Sequence, residues 1–325
     1  MDIIVGIDIG GTKCAVSYAF IQNEIQFLDK TVYPTILDSF ERMMDILRKD
    51  IDTHLQKYPL WKIKSIGISC GGPLNAETGD ILSPPNLKRW GDVNCYQALE
   101  KYQVPVLLQN DANACALAEW KFGAGRGSKN MVFLTFGTGM GAGLILNGEL
   151  YTGACDLAGE VGHIRLEEDG PEGYGKYGSF EGFCSGGGIR NLGIQYARKA
   201  WEAGQETGYC KNEAGLNEIS AKSIAEALQR QDETAKQVYR TVGLQLGKGL
   251  AILIDILNPD KIVIGSIFER QESVLRPYLE EALQKEALPE ALKCCTVVKT
   301  KLGDLIGDYA AISVGLVALE KEGRQ

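Results

Sequence analysis

The sequence predicts an α/β protein of two similar lobes that face each other across a cleft. Three observations carry this expectation. The chain has 325 residues, which favours two domains and is ample for large cores. Apolar, strand-like runs lead into glycine-rich turns at two well-separated places. Ile3-Ile4-Val5-Gly6-Ile7 leads into Asp8-Ile9-Gly10-Gly11-Thr12-Lys13, and Met131-Val132-Phe133-Leu134-Thr135 leads into Phe136-Gly137-Thr138-Gly139-Met140-Gly141-Ala142-Gly143. Further apolar strands alternate with helical segments, and in open α/β sheets the strand ends are where ligands bind.

The first turn belongs to an antiparallel meander predicted over 3–7, 14–20 and 24–31. A helix follows at 39–57, with Ser39 as N-cap and Phe40, Met43, Met44, Leu47 and Ile51 near helical spacing. His54 on that helix is expected to face solvent. A strand at 63–69 runs into Cys70-Gly71-Gly72-Pro73, and one at 104–109 ends at Asn110-Asp111. The alanine-rich stretch 112–122 reads as a tightly packed helix, and 123–129 as a hinge. The second glycine turn sits in a strand–turn–strand hairpin over 131–146. Residues 153–188 are rich in glycine and acids and nearly free of apolar side chains, so they read as a functional or a disordered loop. Helices are expected at 189–202, 220–229 and 233–257, where Asn258-Pro259 ends the last. A strand at 261–264 reaches Gly265-Ser266; a helix at 274–284, a strand at 294–299 and an alanine-rich helix at 308–320 complete the chain. The expected lobes are 1–122, completed by a C-terminal helix at 308–325, and 123–307.

The net charge of −8 argues against a nucleic-acid partner, because phosphate backbones are bound by basic patches. No apolar run approaches the length of a membrane span. The first strand opens at Ile3, so neither a leader peptide nor a DNA-binding segment is expected ahead of it. The nine cysteines are odd in number, lack any C-x-x-C pair and sit mostly in apolar or glycine-rich surroundings. They read as reduced thiols of a cytoplasmic protein. Cys294-Cys295, the one close pair, is placed on a strand with its side chains on opposite faces.

Glycine lets the backbone approach an anion and adopt positive φ, and Thr12, Thr138 and Lys13 add side-chain donors. Either turn alone is also an ordinary hairpin turn, and neither fits the Walker pattern. Asp111 follows a short strand and precedes a helix. Transfer of a phosphoryl group to a hydroxyl needs a carboxylate to take the proton, whereas position alone favours an N-cap. The two roles are compatible if Asn110 shares the capping. Asp8 suits a water-mediated contact to Mg²⁺, or a simple turn-forming role. Glu160, His163 and Glu181 can offer donors and acceptors to vicinal hydroxyls. Asn86 lies in the stiff segment Ser83-Pro84-Pro85-Asn86-Leu87.

Taken together, Asp8-Ile9-Gly10-Gly11-Thr12-Lys13, Pro84-Pro85-Asn86-Leu87, Asn110-Asp111-Ala112-Asn113-Ala114, Gly137-Thr138-Gly139-Met140-Gly141, Gly159-Glu160-Val161-Gly162-His163 and Val263-Ile264-Gly265 resemble the ROK family of sugar kinases. The resemblance runs from Ile3 to about Leu319. It implies a two-lobed actin-like ATPase (ribonuclease H-like) fold with an interlobe cleft, and ATP-dependent phosphorylation of a hexose hydroxyl. It implies Asp111 as catalytic base, and Gly72, Asn86, Asn110, Glu160, His163 and Glu181 as sugar-binding residues. ATP would lie against Asp8, Gly10, Gly11, Thr12, Lys13, Gly137, Thr138 and Gly139, with Gly265 and Ser266 at the adenosine. Mg²⁺ arriving with ATP and a homodimeric assembly are further implications. A kinase of N-acetylglucosamine or N-acetylmannosamine and a fructokinase are alternatives, as is a non-catalytic sugar sensor. One departure stands out. The family's zinc motif is Cys-x-Cys-Gly-x-x-Gly-Cys-x-Glu. Alignment on Gly175, Gly178 and Glu181 puts Glu172, Tyr174 and Ser179 at the cysteine positions, so no structural zinc is expected.

Overall fold

The computed structural model describes residues 1–22 and 24–323. Among them, ten strands form two large sheets. The first contains β1 (Asp2–Ile9), β2 (Lys13–Ile21), β3 (Ile25–Pro34), β4 (Lys62–Cys70) and β5 (Val106–Asn110), in the order β3-β2-β1-β4-β5. The second contains β6 (Met131–Phe136), β7 (Met140–Leu146), β8 (Glu149–Tyr151), β9 (Lys261–Ile264) and β10 (Thr296–Lys299), in the order β8-β7-β6-β9-β10. The two orders are the same. In each sheet the first strand of an antiparallel meander also pairs in parallel with a later strand. Each glycine turn therefore occupies the same place in its sheet, between the first two meander strands.

Register fixes what meets at the sheet edge. Ile9 lies opposite Cys70, and Cys70 opposite Asn110, so β1, β4 and β5 end level. The segments that follow them, starting at Gly10, Gly71 and Asp111, leave the sheet side by side.

The helices are α1 (Phe40–Lys57), α2 (Asp111–Phe122), α3 (Gly186–Glu202), α4 (Ala221–Gln229), α5 (Glu233–Leu257), α6 (Ile267–Glu286) and α7 (Ile306–Glu322). Ser39 caps α1 by accepting the Arg42 N–H. Helix α7 lies on β1 and β4 at backbone contact. A Cβ on Gly67 would stand 2.1 Å from the Ala311 carbonyl oxygen and the Gly315 nitrogen, and the Ser65 hydroxyl donates to the Gly315 carbonyl at 2.7 Å. Helix α2 approaches β7 equally closely, because a Cβ on Gly143 would stand 2.6 Å from the Ala112 carbonyl oxygen. Leu107, Ala114, Leu117, Met131, Phe133, Val263, Ala310 and Val314 form one buried apolar cluster. That cluster joins both helices to strands of both sheets, so the lobes share a core around α2 and α7. Residues 324 and 325 of the expected C-terminal helix lie outside the described residues.

The chain passes between the sheets after α2 and again after β10. Glu119, fully buried in α2, binds both passages. Its carboxylate accepts the N–H groups of Ala124 at 2.6 Å, Lys301 at 3.0 Å and Leu302 at 2.9 Å.

Four expectations are corrected. His54 does not face solvent: its ring stacks on Tyr18 at 4.2 Å and its Nε2 meets the Asp29 carboxylate at 3.2 Å. Partners on β2 and β3 draw in a polar side chain that the helix alone would leave outside. Cys294 is not on a strand but ends a short helix, Pro289–Cys294, which proline starts at its first turn. Residues 153–188 are neither disordered nor nearly free of apolar side chains: Val161, Phe180 and Phe183 are buried, and Ile164 and Leu166 pack against the same core, while Leu157 stays exposed. Helix α6 starts at Ile267, seven residues before 274; Phe268 is buried there, but non-helical Gln271 breaks the apolar spacing. The nine cysteines are free thiols, and among the described residues no helix is long and apolar enough to cross a membrane.

Glu119→Ala leaves three backbone donors without their partner. Urea denaturation is expected to show a loss of about 2–4 kcal/mol. An unchanged midpoint would mean that Glu119 does not hold the two passages.

Candidate active site

A cavity of about 770 Å³ opens between the edges of the two sheets. From the first lobe Gly72, Pro73, Leu74, Pro85, Asn110 and Asp111 line it; from the second, Thr135, Gly137, Thr138, Gly139, Met140, Glu160, His163, Tyr174 and Glu181. The fold thus gathers Gly72, Asn110, Asp111, Gly137, Thr138, Gly139, Glu160, His163 and Glu181 of the sequence-predicted set around one space.

The choice between cap and free carboxylate at the start of α2 is resolved by geometry. Asn110 is the N-cap, its Oδ1 accepting the Asn113 N–H at 2.7 Å. Asp111 is held by local backbone alone: its Oδ1 accepts the N–H of its neighbour Ala112 at 2.8 Å, its own backbone N–H also bonds the carboxylate, and no side chain holds it among the described residues. Asp111 is solvent-accessible through the cavity mouth, yet protein crowds most of the space around its carboxylate. That burial raises its pKa above the ordinary value, and the hydrogen bonds from the Ala112 N–H and its own N–H offset part of the rise. Asp8 titrates at about 6: burial comes first, then the charges of Asp111 and Asp308, against the opposing pull of Lys13 and Lys30. Lys30 is itself held to Asp308 at 2.5 Å.

The glycine turns present unused donors. The N–H groups of Gly11, Thr12, Thr138 and Gly139 make no hydrogen bond among the described residues. The Thr12 and Thr138 hydroxyls and the Lys13 ammonium likewise have no hydrogen-bonding partner there. The turns themselves are braced. Gly10 N–H donates to the Lys13 carbonyl at 3.1 Å, Gly137 N–H to the Gly139 carbonyl at 3.1 Å, and Gly141 N–H to the Thr135 hydroxyl at 3.0 Å. Glu181 accepts the Met140 N–H at 3.0 Å and so ties the acidic side of the cavity to the second turn. Ser266, at φ +58°, sits behind that turn, and a Cβ on Gly137 would lie 3.5 Å from its hydroxyl oxygen. The segment from Asp8 to Lys13 lies off the cavity wall, beside it. Asn86 is exposed and packs against Gly11, where an added Cβ would come within 2.7 Å of its own.

Three contributors escaped the sequence reading. The N-terminus of α3 abuts the second turn, with Gly186 N–H donating to the Gly137 carbonyl at 2.8 Å. The run Gly186-Gly187-Gly188 was the available signal. Asp156 reaches from the second lobe to accept the Ala76 N–H of the first at 2.8 Å, and nothing local to its sequence marks it. Tyr174 lines the cavity and meets the His163 ring edge-on, centroids 5.2 Å apart. At the other two positions aligned with zinc cysteines, Ser179 is buried and caps the short helix Phe180–Phe183, and Glu172 starts a two-stranded hairpin. No group of three or more His, Cys, Asp or Glu that could hold a metal ion occurs among the described residues.

The raised pKa of Asp8 gives a signed prediction. Its folded-state value lies above the unfolded one, so the folded protein binds this proton more tightly, and the charged form weakens the fold above about pH 6. Without nucleotide or divalent cation, Asp8→Asn is expected to stabilise the protein at pH 8 by up to about 3 kcal/mol. The gain should shrink towards zero as pH falls to about 4. Urea denaturation at both pH values checks it; a pH-independent effect contradicts it.

Comparison with known proteins agrees with this architecture. The ROK family model matches residues 4–314. Glucokinase of Halalkalibacterium halodurans is 31% identical over 98% of this chain and 95% of its own. The xylose repressor of Caldicellulosiruptor bescii is 31% identical over 81% of this chain and 65% of its own. The ROK family glucokinase of Streptomyces griseus, solved with glucose and AMPPNP, superposes with a TM-score of 0.73 at 26% identity, covering 98% of this chain and 99% of that one. The repeated strand order, the level strand ends and the paired glycine turns are thus those of an actin-like ATPase fold, and this chain belongs to the ROK family.

Proposed function

We propose that this protein is an ATP-dependent hexose kinase, with an aldohexose close to glucose as acceptor. The observation that carries the reading is the Asp111 carboxylate, held among the described residues by local backbone N–H groups alone and lining the same cavity as Thr138, Glu160 and His163. A carboxylate with a raised pKa is suited to accept a proton from an alcohol. The hydroxyl proton passes to Asp111 as the hydroxyl oxygen bonds to the γ-phosphorus. The bond from that phosphorus to its bridging oxygen breaks, and ADP leaves. The unused N–H groups of Gly11, Thr12, Thr138 and Gly139 support a phosphate chain gripped from both lobes, with Lys13 adding positive charge. Gly265 and Ser266, next to the second turn, are assigned to the adenosine.

Gly72, Asn110, Glu160, His163 and Glu181 are assigned to the sugar hydroxyls, and Asn86, beside Gly11, would join them on closure. Mg²⁺ arriving with ATP neutralises phosphate charge, and Asp8 is the group we assign to its hydration shell. The closing units are read as 1–122 with the C-terminal helix, and 123–307. Their approach excludes water, the competing acceptor.

ADP release measured with glucose, fructose, mannose, allose, N-acetylglucosamine and N-acetylmannosamine tests the reading. Glucose is expected to give the highest kcat/KM. ATP turnover that no sugar stimulates would contradict it.

A further inference from the structure

We propose that Tyr174 is a specificity-determining residue of the hexose site, its ring packing against the C–H face of the bound sugar; this rests on the kinase reading above. Tyr174 is 70% exposed, yet it lines the cavity that also holds Asp111 and Glu160. It stands at the tip of the hairpin formed by Glu172–Gly173 and Lys176–Tyr177. The two tip residues, Tyr174 and Gly175, have φ of +48° and +77°. A two-residue turn with both φ values positive prefers Asn or Asp followed by Gly, because a bulky side chain is strained there. The tyrosine is therefore the wrong residue for the turn. Such strain at a cavity wall points to a role for the side chain itself.

The hairpin can carry that role because its base is fixed. A Cβ on Gly173 would stand 2.4 Å from the Gly182 nitrogen, so the base is pressed onto the short helix that bears Glu181. Lys176 Nζ donates to the His163 carbonyl at 2.6 Å, and Arg165 donates to the Tyr177 carbonyl at 2.7 Å. The tip is open: a Cβ on Gly175 would meet nothing within 4 Å. The Tyr174 and His163 rings meet edge to face at an interplanar angle of 77°, and the Tyr174 hydroxyl makes no hydrogen bond among the described residues. A tethered, largely exposed aromatic ring therefore lines the same cavity as the polar side chains of Asn110, Asp111, Glu160, His163 and Glu181.

That combination suits a pyranose. The ring hydroxyls take the polar groups, and the C–H face takes the aromatic wall. An aldohexose with all its ring hydroxyls equatorial presents axial hydrogens to such a wall. An epimer with an axial hydroxyl replaces one of them with a polar group that the ring cannot satisfy. Tyr174 thus discriminates between epimers.

Steady-state kinetics of wild type, Tyr174→Phe and Tyr174→Asn with glucose, mannose and allose test this, alongside urea denaturation. Asn suits the turn better than Tyr, so Tyr174→Asn is expected to be at least as stable as wild type. Its KM for glucose is expected to rise roughly three- to tenfold while kcat changes less, and its preference for glucose over allose to narrow. Tyr174→Phe keeps the ring and is expected to retain the wild-type KM. A Tyr174→Asn protein with the wild-type KM and epimer ratio overturns the inference and leaves the kinase reading standing. A wild type that phosphorylates none of the three sugars overturns both.

Discussion

The cleft depends on how Glu119 and the two helices beside it join the lobes. Both passages of the chain between the sheets deliver backbone N–H groups to this one buried carboxylate. A buried acceptor satisfied by three donors is strongly favoured over one left unpaired, so the passages cannot drift apart independently. Around it, α2 lies on β7 at Gly143 and α7 on β4 at Gly67, each at a distance only glycine allows. This is a junction built from packing, and the cavity lies between the ends of the strands it holds.

At those strand ends the site holds unfavourable electrostatics. Burial first, and then the charges of Asp111 and Asp308, disfavour the anion of Asp8, and burial disfavours that of Asp111. Lys13 and Lys30 offset only part of this. A site evolved for stability alone would pair or neutralise such acids. Here the imbalance matches a ligand that brings positive charge and gives up a proton. The unpaired N–H groups of the glycine turns show the complementary preference for an anion. Acids and donors are kept on neighbouring segments by register, since Ile9, Cys70 and Asn110 end their strands level.

Much of this was legible in the sequence because its causes are local. Apolar runs ending in glycine gave the strands and both turns, and a capping serine gave the start of α1. The level strand ends follow from parallel pairing once the strands are known. What escaped depends on partners distant in the chain. His54 looks solvent-facing on its own helix, but Tyr18 and Asp29 are supplied by other strands. The order of 153–188 rests on a few buried side chains and on Glu167, which Lys248 and Gln245 of α5 hold from eighty residues away. Asn86 has the right sequence context for the site, yet packs beside Gly11, because the path of its loop is set by the strands around it. Asp111 was ambiguous for a different reason: cap and base require the same residue type at neighbouring positions, and only the backbone geometry at Asn110 separates them.

In the proposed reaction the Asp111 carboxylate takes the proton of the attacking hydroxyl while Asn110 caps α2. Steady-state kinetics of Asp111→Asn with ATP and the preferred hexose test it most directly. Loss of the base is expected to lower kcat by about 10² to 10⁴ with an almost unchanged KM for the sugar and an intact fold. A variant that turns over at close to the wild-type rate would contradict it.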